Sequence, residues 1–172
     1  MKRLYNKKKQ EKSRNIQKAI LKHGSDILQS PGFINSGRAV QHGNMSVRQH
    51  SIDVARCSLK ISRKLPFHFE EKDLVRGALL HDYFLYDWHD KKVGLKDLRK
   101  FYKLHGFSHP SIALNNAKRD FALTQRQEDI IKKHMWPLTI KPPVCREAWV
   151  VSLADKYCSL LETFRLRQGD LT

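Results

Sequence analysis

Two carboxylates stand in this sequence where a helical chain has least room for them, and they constrain the fold more than any other feature. Asp155 lies in the run Val150-Val151-Ser152-Leu153-Ala154-Asp155, four residues after Val151 and three before Cys158, which places it on an apolar helix face. Asp82 follows His81, which lies three residues after Ala78 and seven after Leu74 and so continues a second apolar stripe. A desolvated carboxylate costs several kcal/mol unless it is paired or coordinates a cation. The fold must therefore bring partners to both acids. Histidines are the groups on offer: His50 inside an apolar helical pattern, His109 near a proline, and His134 on the face of Gln127, Ile130 and Ile131. Imidazole and carboxylate together suit divalent transition metals.

The pattern around these residues is helical. Eight glycines and six prolines in 172 residues amount to about 8%, against an average nearer 12%, leaving too few turn signals for a sandwich or barrel. Ser46 with Gln49 reads as a capping box opening a helix through Ile52, Ala55 and Leu59. Pro66 follows its end, and a second helix is expected from about Glu70 through Leu85. Val93-Gly94 suggests a break, and Leu95, Leu98, Phe101 and Tyr102 fit one short helix. Ser108 and Pro110 mark another helix start, Thr124 with Gln127 is a second capping box, and Pro137 closes that helix. From Arg146 to Leu166, the spacing Val150, Leu153, Ala154, Tyr157, Leu161 and Phe164 describes a long amphipathic helix.

Charge is distributed unevenly. Lys and Arg number 33 against 17 Asp and Glu, a formal net charge of +16 that favours phosphate-bearing partners. Residues 1–22 carry nine basic side chains and one acid, Glu11. Of this segment only Ile16, Ala19 and Ile20, with Ile27 and Leu28, offer a stripe for docking, so a helical or frayed basic arm is expected. Such an arm can bind nucleic acid by counterion release, although a solvated tail is at least as good a reading. Three cysteines with no C-x-x-C pair suit a reducing, cytoplasmic setting. No apolar run approaches the ~18 residues of a membrane span, and no membrane association is expected.

The ordered set His50, His81-Asp82, His109, His134 and Asp155 resembles the HD-domain superfamily of metal-dependent phosphohydrolases. The segments that carry the likeness are SVRQHSIDVA, GALLHDYF, HPSIAL, IIKKH and SLADKY, from about Gly43 to Phe164. The chain is similar to the small stand-alone members related to the dinucleoside-tetraphosphate hydrolases. The resemblance implies an all-α helical bundle of about six to eight helices with a basic N-terminal arm, the arm and connecting segment occupying 1–40 and the HD domain 41–172. It implies a first metal on His50, His81, Asp82 and Asp155, with Asp82 bridging to a second on His109 and His134. One or two divalent ions are expected, with Fe, Mn, Co or Ni ahead of Mg, and the substrate would be a phosphoester or phosphoanhydride, in a nucleotide. Relatives often carry a polar residue three positions after the HD aspartate, where this chain has Leu85.

Other residues admit two readings. His105 competes with His109 as a ligand, since both flank Gly106-Phe107; His109 is preferred because Pro110 follows it. Asp82 as the bridging ligand and Lys156 beside Asp155 are the candidate catalytic residues. Arg48 and Lys156 are candidates for substrate phosphate, against the reading of ordinary surface cations. Asp87, His89 and Asp90 read as a solvated loop, and Tyr83, Trp88, Trp136 and Trp149 as core before base-stacking. Two other functions fit the same residues: a nucleic-acid-binding protein with a structural HD core, and an HD-type di-iron oxygenase.

Overall fold

The computed structural model describes residues 2–42, 45–83 and 98–169, with side chains for 4–39, 45–83 and 109–164. The chain runs through α1 (Lys2–Gln29), α2 (Pro31–Asn35), a small ribbon of β1 (Val40–His42) and β2 (Met45–Ser46), and α3 (Val47–Ser62). It continues through α4 (Glu71–Leu80), α5 (Leu98–Asp120), α6 (Gln125–Lys133) and α7 (Arg146–Gly169). The strands pair antiparallel, Val40 opposite Ser46 and His42 opposite Met45, and the remainder of the described architecture is an all-α bundle.

Local chemistry sets the starts of α3 and α6. Ser46 accepts a hydrogen bond from the backbone N–H of Gln49 at 3.2 Å, satisfying a first-turn donor of α3. The Gln49 amide does not return the bond; it donates to Asp53 at 3.0 Å, so Ser46 is a single cap and not the expected box. Thr124 and Gln127 complete both halves of theirs at the head of α6.

The bundle is built around α4, in which every residue from Asp73 to Leu80 is buried. It packs against α1, α3, α6 and α7. Val54, Ala55 and Leu59 of α3, Ile130 and Ile131 of α6, and Val151 and Ala154 of α7 close the core around it. The expected docking stripe of α1 is realised, with Ile16, Ala19, Ile20 and Ile27 in the core. Arg76 of α4 reaches back to Asp26 at 2.7 and 2.8 Å. Residues 4–15 of the same helix are exposed throughout, so the basic arm is the projecting half of a helix whose other half is structural. No helix among the described residues is long and apolar enough to cross a membrane.

Four further expectations are corrected. The helix expected to start at Ser108-Pro110 is already running: Pro110 lies inside α5. An interior proline forfeits a backbone hydrogen bond, at roughly 3 kcal/mol, and burial of Pro110 with Ala113, Leu114 and Ala117 offsets it. α4 stops at Leu80, and His81-Asp82 form the turn that follows. On α7 the buried face is Val150, Val151, Ala154 and Cys158, while Leu153, Tyr157, Leu161 and Phe164 are exposed. Two apolar stripes compete on that helix, and the one bearing Asp155 faces inward because its partners lie there. Trp149 is also exposed, edge-on to Trp136 at 4.8 Å between ring centres, whereas Tyr83 is buried as expected. Leu85, Asp87, Trp88, His89, Asp90, Val93, Gly94 and Leu95 lie outside the described residues.

Gly77 sets the approach of α6 to α4. A Cβ at this position would stand 2.8 Å from Cγ2 and 2.9 Å from Cβ of Ile130, and closer still to its Cδ1. Cβ of Ile130 is fixed by its backbone and no rotamer change moves it away, so Gly77→Ala must push α6 outward. Although alanine gains about 1 kcal/mol of helix propensity, overpacking of this kind costs about 1–3 kcal/mol. A lowered melting temperature is expected for Gly77→Ala, by about 2–4 °C per kcal/mol of net loss; an unchanged or raised one would contradict this close approach.

Candidate metal centre

Five separate elements deliver the six candidate ligands to one place. His50 lies in the first turn of α3, His81 and Asp82 in the turn after α4, His109 in α5, His134 at the C-terminal cap of α6, and Asp155 on α7. All six are buried, with exposures from 0 to 7%. His50 Nε2 is 3.1 Å from Asp155 Oδ1, and His81 Nε2 is 3.4 Å from Asp82 Oδ2 and 3.6 Å from the same Asp155 oxygen. On the other side of Asp82, His109 Nε2 and His134 Nε2 each lie 3.3 Å from Oδ1 and 2.9 Å from each other. His50, His81 and Asp82 form one group of converging donor atoms, and Asp82, His109 and His134 form a second. Asp82 belongs to both.

The hydrogen bonds on the far side of the rings fix which nitrogen points inward. Nδ1 of His81 meets the carbonyl of Ala78 at 2.8 Å, and Nδ1 of His134 meets that of Ile131 at 2.8 Å. A carbonyl only accepts, so each Nδ1 carries the proton, and in the neutral ring Nε2 presents its lone pair to the centre. Both carbonyls lie among the last four of their helices, which have no intrahelical donor. That is why a histidine at each helix end is held so well. His50 Nδ1 instead faces the carboxylate of Glu162, at 3.0 and 3.2 Å.

The result is a buried cluster crowded with lone pairs, and it demands positive charge. Burial opposes ionisation of His50, but hydrogen bonds to Asp155 and Glu162 outweigh it and raise its pKa from 6.5 to about 10. Burial likewise opposes charge on His81, and Asp82 and Asp155 overcome it, raising its pKa. His134 goes the other way, lowered chiefly by desolvation. Against their own burial, Asp82 is held well below the usual carboxylate range by His81, His109 and His134, and Asp155 by His50 and His81. His81 Nε2 remains buried without a hydrogen bond, its nearest carboxylate oxygens being too far or poorly aligned. An orphaned imidazole nitrogen beside shared carboxylates fits a divalent cation, which offers several coordination positions where a proton offers one.

The remaining candidates sit around this chamber. Lys156 donates to the carbonyl of His134 at 2.9 Å, to that of Ser152 at 3.3 Å and to the Ser152 hydroxyl at 2.9 Å, and Ser152 itself donates to the His134 carbonyl at 2.7 Å. An ammonium at a helix C-terminus is favourably placed, and these three acceptors match its three protons. Arg48 is exposed, its side chain beside Gly37. His105 lies on α5, and its side chain is outside those described, whereas His109 is in the centre. Tyr83, the residue after Asp82, is held by two bonds: its hydroxyl donates to Asp120 at 2.9 Å and its carbonyl accepts from Asn116 at 3.1 Å. Sequence reasoning missed Glu162 and Ser152. Glu162 did carry a signal, an acid seven residues after Asp155 on the same helical face.

A family model, the HD domain, matches residues 47–160 of the chain. No curated protein and no solved structure gave a match. The matched span covers well over half of the 172 residues and contains all six converging candidate ligands, and HD domains bind divalent metals. The chain therefore belongs to the HD-domain family, within the superfamily of metal-dependent phosphohydrolases.

Proposed function

We propose that the protein is a cytoplasmic hydrolase of phosphoester or phosphoanhydride bonds in a nucleotide, working with two divalent transition-metal ions. The observation that carries this reading is the pair of donor groups sharing Asp82. His50, His81, Asp82 and Asp155 would hold one ion, and Asp82, His109 and His134 the other. Ions so held supply a water of lowered pKa and positive charge opposite the attacked phosphate. A donor set rich in imidazole favours Fe, Mn, Co or Ni over Mg.

The chain's own residues complete the reading. Asp82 spaces the two halves of the centre, and burial excludes bulk water around them. Lys156, with its donors matched by the carbonyls of His134 and Ser152 and the Ser152 hydroxyl, acts first on the geometry of His134. Direct contact of Lys156 with a substrate phosphate would require it to exchange one of these bonds. Arg48, exposed at the start of α3, supplies a guanidinium for the outer phosphates, and the net charge of +16 draws in an anionic substrate.

Asp82→Ala is expected to remove most bound metal and to lower turnover of a hydrolysed nucleotide about 100-fold or more, the scale of losing a preorganised charge stabiliser. His134→Ala is expected to take occupancy from about two ions to about one. Elemental analysis and phosphate release across a nucleotide panel read both effects. Stoichiometric metal in Asp82→Ala would sink the assignment, and oxygen consumption by an iron-loaded form without phosphate release would replace hydrolysis by oxygenation.

The projecting half of α1 favours a second activity, nucleic-acid binding, because residues 4–15 are exposed and hold Lys7, Lys8, Lys9, Lys12 and Arg14. Deleting residues 1–14 spares the buried Ile16, Ala19 and Ile20. The truncated protein is expected to keep its melting temperature and nucleotide turnover while losing RNA or DNA binding, itself steeply weakened by salt. Lost turnover in a folded, metal-loaded truncation would assign the arm to the active site, and unchanged nucleic-acid binding would remove the second activity from it.

A further inference from the structure

His50 differs from His81 and His134 in what holds its ring. Those two lie at helix C-termini, where the carbonyls of Ala78 and Ile131 have no intrahelical donor and are free to accept from Nδ1. His50 lies in the first turn of α3, where neighbouring carbonyls accept helical N–H groups, so its acceptor must come from another element. Glu162 of α7 supplies it, both carboxylate oxygens lying within 3.2 Å of Nδ1. Glu162 is itself buried, with 7% exposure, a position that an acid without such a partner would not hold cheaply. Asp155 and Glu162 lie seven residues apart, two turns along the same face of α7. They grip the two nitrogens of one imidazole from opposite ends.

On the metal-centre reading above, we propose that Glu162 is a positioning residue. By accepting from Nδ1, it holds the His50 ring with Nε2 directed at the Asp155 side of the centre, and its charge makes that nitrogen a stronger donor. It touches neither substrate nor metal. A carboxylate behind a ligating histidine fixes the tautomer and raises ligand basicity, and losing such a partner costs about 10- to 100-fold in metal affinity. The effect belongs to the half of the centre that holds His50. The hydrogen bonds of Glu162 run to His50.

The test uses the full-length protein stripped of metal and titrated with Co²⁺ in competition with a chromophoric chelator, in the wild type, Glu162→Gln and Glu162→Ala. The expected order of affinity is wild type, then Gln, whose amide oxygen still accepts from Nδ1, then Ala, about 10- to 100-fold weaker than wild type. The weakening is expected at one of the two ions; if the wild type binds a single Co²⁺, the same order at that ion supports the proposal. Melting of the metal-free variants separates positioning from loss of packing. Glu162→Gln, nearly isosteric, remains informative if Glu162→Ala does not fold. Wild-type affinity in a folded Glu162→Gln and Glu162→Ala would overturn the proposal, as would an equal loss at both ions with no rescue by Gln. A wild type that binds no Co²⁺ would overturn the metal-centre reading itself.

Discussion

Everything in this bundle is arranged around the burial of Asp82. The carboxylate is 2% exposed and has the Nε2 atoms of three histidines within 3.4 Å. An isolated carboxylate in that setting would cost several kcal/mol, so the elements bearing those histidines cannot move apart independently. α4 delivers Asp82 on the turn at its end, α5 and α6 deliver His109 and His134, and α3 and α7 complete the chamber with His50 and Asp155. The apolar core supplies the cohesion. The polar centre dictates the register in which the helices meet.

Helix termini are the device that makes this register cheap. The last carbonyls of α4 and α6 need donors, and the Nδ1–H groups of His81 and His134 provide them. Lys156 and Ser152 then cap the His134 carbonyl from α7. Backbone groups that would otherwise lack partners thus orient the two rings. Gly77 allows the two helix ends to stand close enough for His81 and His134 to meet edge to face, 5.0 Å between ring centres.

Much of this was legible in the sequence. The acids on apolar faces required partners, and the histidine order supplied them with the right family. What the sequence hid follows from ambiguous local signals. Pro110 has the chemistry of a helix start but sits inside α5, where burial overrides propensity. α7 carries two apolar stripes, and only the tertiary demand of Asp155 decides that Val151, Ala154 and Cys158 turn inward while Leu153, Tyr157 and Phe164 face out. Glu162 shares the helical face of Asp155, but its partner, His50, comes from α3, and sequence spacing does not encode that pairing. Lys156 stands out in the sequence beside Asp155, but its bonds to the His134 carbonyl and to Ser152 depend on how α6 and α7 meet, which spacing does not encode.

Anomalous diffraction from crystals of the metal-loaded protein, recorded at the absorption edge of the bound metal, tests the centre most directly. Two peaks on either side of Asp82 are expected, one ringed by His50, His81 and Asp155 and the other by His109 and His134. A peak away from these residues, or a chamber without metal in crystals whose protein binds it elsewhere, would contradict the assignment.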